Sequence, residues 1–95
     1  MNKYEAMFIV KPDLSEEEKK SVFDQICEAV TKNKGIINQA AVWSERKKLA
    51  FPIKKFQDGI YYLVNFDLGT QALEKIRYIY KLNESIIRLL IIRID

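Results

Sequence analysis

Ile60-Tyr61-Tyr62-Leu63-Val64-Asn65-Phe66-Asp67 packs β-branched and aromatic residues into eight positions, with polar groups entering only at 65 and 67. Residues of this kind fit a pleated, half-buried surface, so the segment reads as a strand. Directly before it, Gln57-Asp58-Gly59 has the chemistry of a turn. Ile36 to Val42 reads as another strand, continuing through the charged stretch from Ser44 to Lys48 into Leu49-Ala50-Phe51-Pro52-Ile53. Pro52 offers no ladder donor and places that part at an edge or bulge. The two strands pair as a central hairpin, and what flanks the hairpin decides the architecture.

On the N-terminal side, Tyr4 to Val10 is a β-rich run closed by Lys11-Pro12-Asp13. Ser15-Glu16-Glu17-Glu18 then forms a capping box at a helix start, with three acids near the positive end of the helix. The helix runs to about Asn33. Val22, Ile26, Ala29 and Val30 recur at helical spacing, and Gly35 is expected to supply a left-handed stop. On the C-terminal side, Thr70 is expected to cap a second helix that carries Leu73, Ile76, Ile79 and Tyr80 on one face and ends near Asn83. Ile86 to Ile94 reads as a closing strand interrupted by Arg88 and Arg93.

The order β-α-β-β-α-β is that of the ferredoxin-like, split β-α-β sandwich, an α+β fold with two helices on one face of a four-stranded antiparallel sheet. With 95 residues there is room for one such domain, residues 1–95. The other sheet face is expected to have no cover. Alternation sorts the side chains: Ala6, Phe8, Val10, Tyr62, Val64 and Phe66 should face the helices. Met7, Ile9, Tyr61 and Leu63 should face out, with Glu5 marking the open phase in the first strand. Arg88 likewise marks Ile86, Leu90 and Ile92 as outward. This is a large apolar patch for a monomer, and a partner is expected to cover it.

Composition removes much chemistry. There is no His and one Cys, which excludes His-based acid–base catalysis, most metal sites and an internal disulfide, and fits a reducing, cytoplasmic home. Nucleoside-diphosphate-kinase chemistry on this topology needs a His, and an acylphosphatase-type cradle needs a phosphate loop that Lys11-Pro12-Asp13 does not provide. Cys27 has no His beside it and reads as a structural thiol. No enzyme activity, cofactor, metal or small-molecule substrate is expected. No apolar run approaches the roughly 18 residues of a membrane helix, and no targeting leader is visible, so no membrane partner is expected.

Charge is uneven. Residues 1–45 hold six basic and eight acidic residues, and residues 46–95 hold ten and five, so a total of +3 divides into −2 and +5. The run Arg46-Lys47-Lys48, with Lys54 and Lys55 beyond it, serves equally as a phosphate-contacting patch or as a solvated edge that blocks aggregation. The RNA-recognition motif shares the topology, but Gly59 to Phe66 only loosely matches its aromatic signature. The strand phase turns Phe8, Tyr62 and Phe66 inward, leaving Tyr61 as the one strong platform aromatic.

Several pieces in fixed order resemble the family of bacterial small-subunit ribosomal protein six. They are Tyr4-Glu5 and Pro12, the stretch Arg46-Lys47-Lys48-Leu49-Ala50-Phe51-Pro52-Ile53, Gly59 with its following Tyr, Leu82-Asn83-Glu84, and Ile87-Arg88. Ser44-Glu45 stands where that family has a Gly, Phe51 where it has a Tyr, and Asn2 where a basic residue is common. The resemblance implies a ribosomal platform protein that binds the central domain of small-subunit ribosomal RNA together with small-subunit ribosomal protein eighteen. By position it implies RNA contacts at Lys3, Tyr4, Arg77, Asn83 and Arg88. It implies protein contacts at Arg46, Lys47, Lys48, Leu49, Phe51, Tyr61 and Leu63. Two other readings stand beside it, a free-standing RNA-recognition module and a ferredoxin-like small-molecule regulatory domain.

Overall fold

A computed structural model describes residues 1–53 and 56–94, without the side chains of Arg46, Lys47, Ala50, Pro52 and Ile53. Its elements are β1 (Asn2–Val10), α1 (Glu16–Lys32), β2 (Ile36–Ile53), β3 (Phe56–Leu68), α2 (Thr70–Lys81) and β4 (Ile86–Arg93). The strands form one sheet in the order β2-β3-β1-β4, every neighbouring pair antiparallel. This is the ferredoxin-like α+β arrangement expected from the element order.

The capping box forms as read. Glu18 N donates to Ser15 Oγ at 3.1 Å, and Ser15 N donates to a Glu18 carboxylate oxygen at 3.0 Å. The bond from Ser15 N, and after it the Ser15 hydroxyl, hold the Glu18 carboxyl below its ordinary pKa. The C-terminal end differs from expectation. Lys34, not Gly35, has the left-handed backbone, at φ 67°. Gly35 is needed for room, because a Cβ there would lie 2.6 Å from Val30 Cγ1 and 2.8 Å from the Asp67 carbonyl oxygen. Thr70 does not cap α2 either. Gly69 is the N-cap, without a side-chain cap bond, and the Thr70 hydroxyl instead accepts from Asn2 Nδ2 at 2.6 Å.

The main core lies between the helices and the sheet. Phe8, Phe66, Ile26, Ile60, Leu68 and Ile76 are fully buried there. Phe8 meets Tyr80 edge-on at 4.8 Å, and Phe23 stacks on Tyr62 at 4.1 Å. The Tyr80 hydroxyl donates to the Ile26 carbonyl at 2.7 Å, tying α2 to α1, and burial raises its pKa. Cys27 is half-buried with its Sγ 3.7 Å from the Tyr62 hydroxyl. Ile79, expected on the packed face of α2, is exposed; Leu73, Ile76 and Tyr80 make that face and leave Ile79 beside the inter-helix groove.

Two features of the open face depart from alternation. The register of β1 with β4 shifts between Ile9 and Val10, so Val10 pairs with Ile86 while Ile9 pairs with Arg88. The extra residue, Ile87, turns to the open side, and Ile86, expected outward, packs into the helix-side core. The face is also not wholly uncovered. The long hairpin brings Leu49 onto Ile9 and Ile87, with Phe56 and Tyr61 around them, as a second small core. Gly59 permits the approach, since a Cβ there would sit 2.5 Å from Ile9 Cγ2.

Candidate functional site

Two surfaces of different chemistry result. The first is a notch of about 260 Å³ where the last turn of α2 meets the start of edge strand β4. Arg77, Lys81 and Arg88 line it together with Tyr80, Ile86, Ile87 and Leu89, and no acid is among these residues. Arg77 comes from α2 and is braced by Glu74 at 3.6 Å. Arg88 is exposed on β4, and the bulge at Ile87 sets its phase. Asn83 shapes the turn between the two elements. Its Oδ1 accepts from Ser85 N at 2.9 Å and its Nδ2 donates to Gln25 Oε1 at 2.9 Å. Cations from two elements around a concave edge are suited to a phosphate group.

The remaining RNA candidates do not join this notch. Lys3 is exposed but lies six positions along β1 from Ile9, the partner of Arg88, which is roughly 20 Å at strand rise. Tyr4 is 4% exposed, its ring tilted against Phe66 at 5.6 Å and its hydroxyl accepting from Asn2 Nδ2 at 3.3 Å. Its role in the structure is packing. Lys81 is not among the RNA contacts that the resemblance implies; it stands one turn after Arg77 on α2, and this i, i+4 spacing puts both cations on one side of the helix.

The second surface is the open sheet face, which pairing resolves into rows. Arg88, Ile9 and Tyr61 form one row, Leu90, Met7, Leu63 and Ala41 the next, and Ile92, Glu5, Asn65 and Gln39 a third. Tyr61 and Leu63 are half-buried within these rows, and Leu90 is 62% exposed at the β4 edge. Along the hairpin, Lys48 is exposed opposite Asp58 and Phe51 is 76% exposed, whereas Leu49 is held in the small core. The side chains of Arg46 and Lys47, and Lys54 and Lys55 entirely, lie outside the described residues. Sequence reading passed over Trp43. The register shift between Val42 and Ser44 places it at an irregular step of β2, with its ring 5.8 Å from that of Tyr61. One bulky aromatic beside Ser44 in a strand was the available signal.

Phe8 and Phe66 are fully buried, so among the described residues these two aromatics are not available on the sheet surface for the base stacking of a free-standing RNA-recognition module. Among the described residues no group of three His, Cys, Asp or Glu side chains could hold a metal ion, and no helix is long and apolar enough to cross a membrane.

Comparison with known proteins matches this geometry to a family. The model of the family described as Ribosomal protein S6 matches residues 3–93. The small ribosomal subunit protein bS6 of Thermoanaerobacter pseudethanolicus is 38% identical over 95 residues, covering 100% of this chain and 99% of its own length. That of Clostridium acetobutylicum is 37% identical with the same coverage. The crystal structure of 30S ribosomal protein S6 from Thermotoga maritima superposes with a TM-score of 0.91 at 30% identity, over 98% of this chain and 87% of that one. The C-terminal domain of MgtC from Mycobacterium tuberculosis superposes at 0.66 with 9% identity, a likeness of fold alone. A family match over nearly the whole chain, joined to full-length relatives of this similarity, shows that the chain belongs to the ribosomal protein S6 family of the small ribosomal subunit.

Proposed function

We propose that the protein binds the central domain of small-subunit ribosomal RNA jointly with small-subunit ribosomal protein eighteen, and so supports platform assembly and translation. The observation that carries this reading is the unequal chemistry of two adjoining surfaces: cations gather at the α2–β4 notch, apolar side chains gather on the sheet face, and the two meet at Arg88. Arg77 and Arg88 contact phosphates, with Asn83 holding the turn between them and Lys3 adding a contact near the other end of β1. The open face and the hairpin, through Lys48, Phe51, Tyr61 and Leu63, meet the protein partner. Tyr4 and Leu49 contribute by packing.

A net charge of +3 neutralises few phosphates, so RNA affinity of the protein alone is weak and rises when the partner is present. Gel-shift titration of central-domain RNA, with and without protein eighteen, tests this; equal affinity in both series overturns it. In the same assay Arg88→Ala weakens binding by about tenfold, the scale of one charge-assisted contact. Its thermal unfolding stays near that of the parent, because the side chain is exposed.

A further inference from the structure

We propose that Glu5, with Asn65 beside it, is the acceptor site by which the open sheet face selects a cationic side chain on its protein partner. The inference rests on the reading above that a protein covers this face. Glu5 stands between Ile92 and Asn65 in the third cross-strand row, next to the apolar row of Leu90, Met7 and Leu63. It is partly buried, and no described residue gives it an ion pair or hydrogen bond. The other described acids without such a partner, Asp13, Glu17, Asp24 and Glu84, are all exposed to water. Its neighbour repeats the deficit, since the Asn65 Oδ1 is shielded from solvent and has no donor.

Both unmet groups are acceptors, and this decides the chemistry of the occupant. An apolar surface laid over the face would strand the Glu5 charge, which is strongly unfavourable unless a cation arrives with it. A phosphate backbone would set like charge against it, so RNA is directed away from this face and toward the notch. A second copy of the chain would bring a second unpaired carboxylate. A protein segment with an Arg flanked by apolar residues meets every requirement. The guanidinium fork pairs with the carboxylate and has further N–H groups for Asn65, once the side chains shielding its oxygen part. The flanking residues cover Met7, Leu63 and Leu90.

The test uses the ¹⁵N-labelled protein and three probes. A capped Leu-Arg-Leu tripeptide should shift the amide resonances of Glu5, Met7, Leu63 and Asn65, a capped Leu-Glu-Leu tripeptide should not, and Glu5→Gln should remove the difference. Purified protein eighteen should bind Glu5→Lys about tenfold more weakly than the parent, with most of the loss seen at low salt. Resonances on the helix side stay in place in both variants, reporting an intact fold. Equal responses to the two peptides, or undiminished binding of protein eighteen by Glu5→Lys, overturns the proposal. If protein eighteen fails to bind the parent while the Arg peptide still selects Glu5, the partner named above falls and the acceptor site stands.

Discussion

Gly35 makes the residue-scale point that a correct position can have an unexpected cause. Sequence marked it as the helix stop, yet Lys34 adopts the left-handed backbone and Gly35 is present because Val30, Asp67 and Leu68 close around it. Gly35→Ala should therefore destabilise the protein by overpacking, by about 1–3 kcal/mol, read as a lowered midpoint in urea unfolding. Val30 is a near neighbour in sequence, but the Asp67 carbonyl and Leu68 belong to β3, more than thirty residues away in the chain, so no local rule reveals how tightly the site is closed. Local bonds were legible, as Ser15 and Glu18 show. Glu18 has a folded pKa below its ordinary value, so its contribution is present above that value and is lost as pH falls through the folded pKa. Ser15→Ala should raise the Glu18 pKa in an NMR titration, and its stability deficit at neutral pH should shrink on acidification.

At the scale of elements, all six were legible because each carries its own periodicity or capping chemistry. The irregular steps within them were not. The β1–β4 shift that sends Ile86 inward and Ile87 outward depends on how two distant strands meet, and alternation alone runs through it. The curl of the hairpin is of the same kind: Gly59 read as turn chemistry, but its importance lies in letting the chain rest on Ile9. Leu49 holds that curl. Leu49→Ala should cost about 2 kcal/mol, at the low end for a buried Leu because its cluster is small. Hydrogen exchange should quicken around Lys48 and Asp58 while amides of Phe8 and Val64 keep their protection. Uniform loss of protection would mean that the hairpin is not a separate layer. The notch was legible only in part for a related reason: Arg77 and Arg88 were readable as candidates, but their convergence with Lys81 depends on the α2–β4 crossing.

For the whole molecule, the separation of charge from apolar surface is the property to test. Sequence showed it as a −2 half and a +5 half, and in the structure three cations of the second half meet at one edge. If Arg77 and Arg88 each neutralise a phosphate, replacing both with Ala should make RNA binding less salt-sensitive, lowering the slope of log affinity against log salt by about one to two. An unchanged slope would place the phosphate contacts elsewhere. The strand order has a consequence for synthesis. β1 is made first but sits at the centre of the sheet, and its nearest paired residue, Ile60 opposite Val10, follows 50 positions later (60 − 10). At about 5–20 residues per second, the Phe8-Ile9-Val10 segment waits roughly 3–10 s for its first partner strand. During that interval β1 has neither of its sheet neighbours, β3 and β4, so the growing chain carries an unpaired central strand until more than half of its residues have been joined.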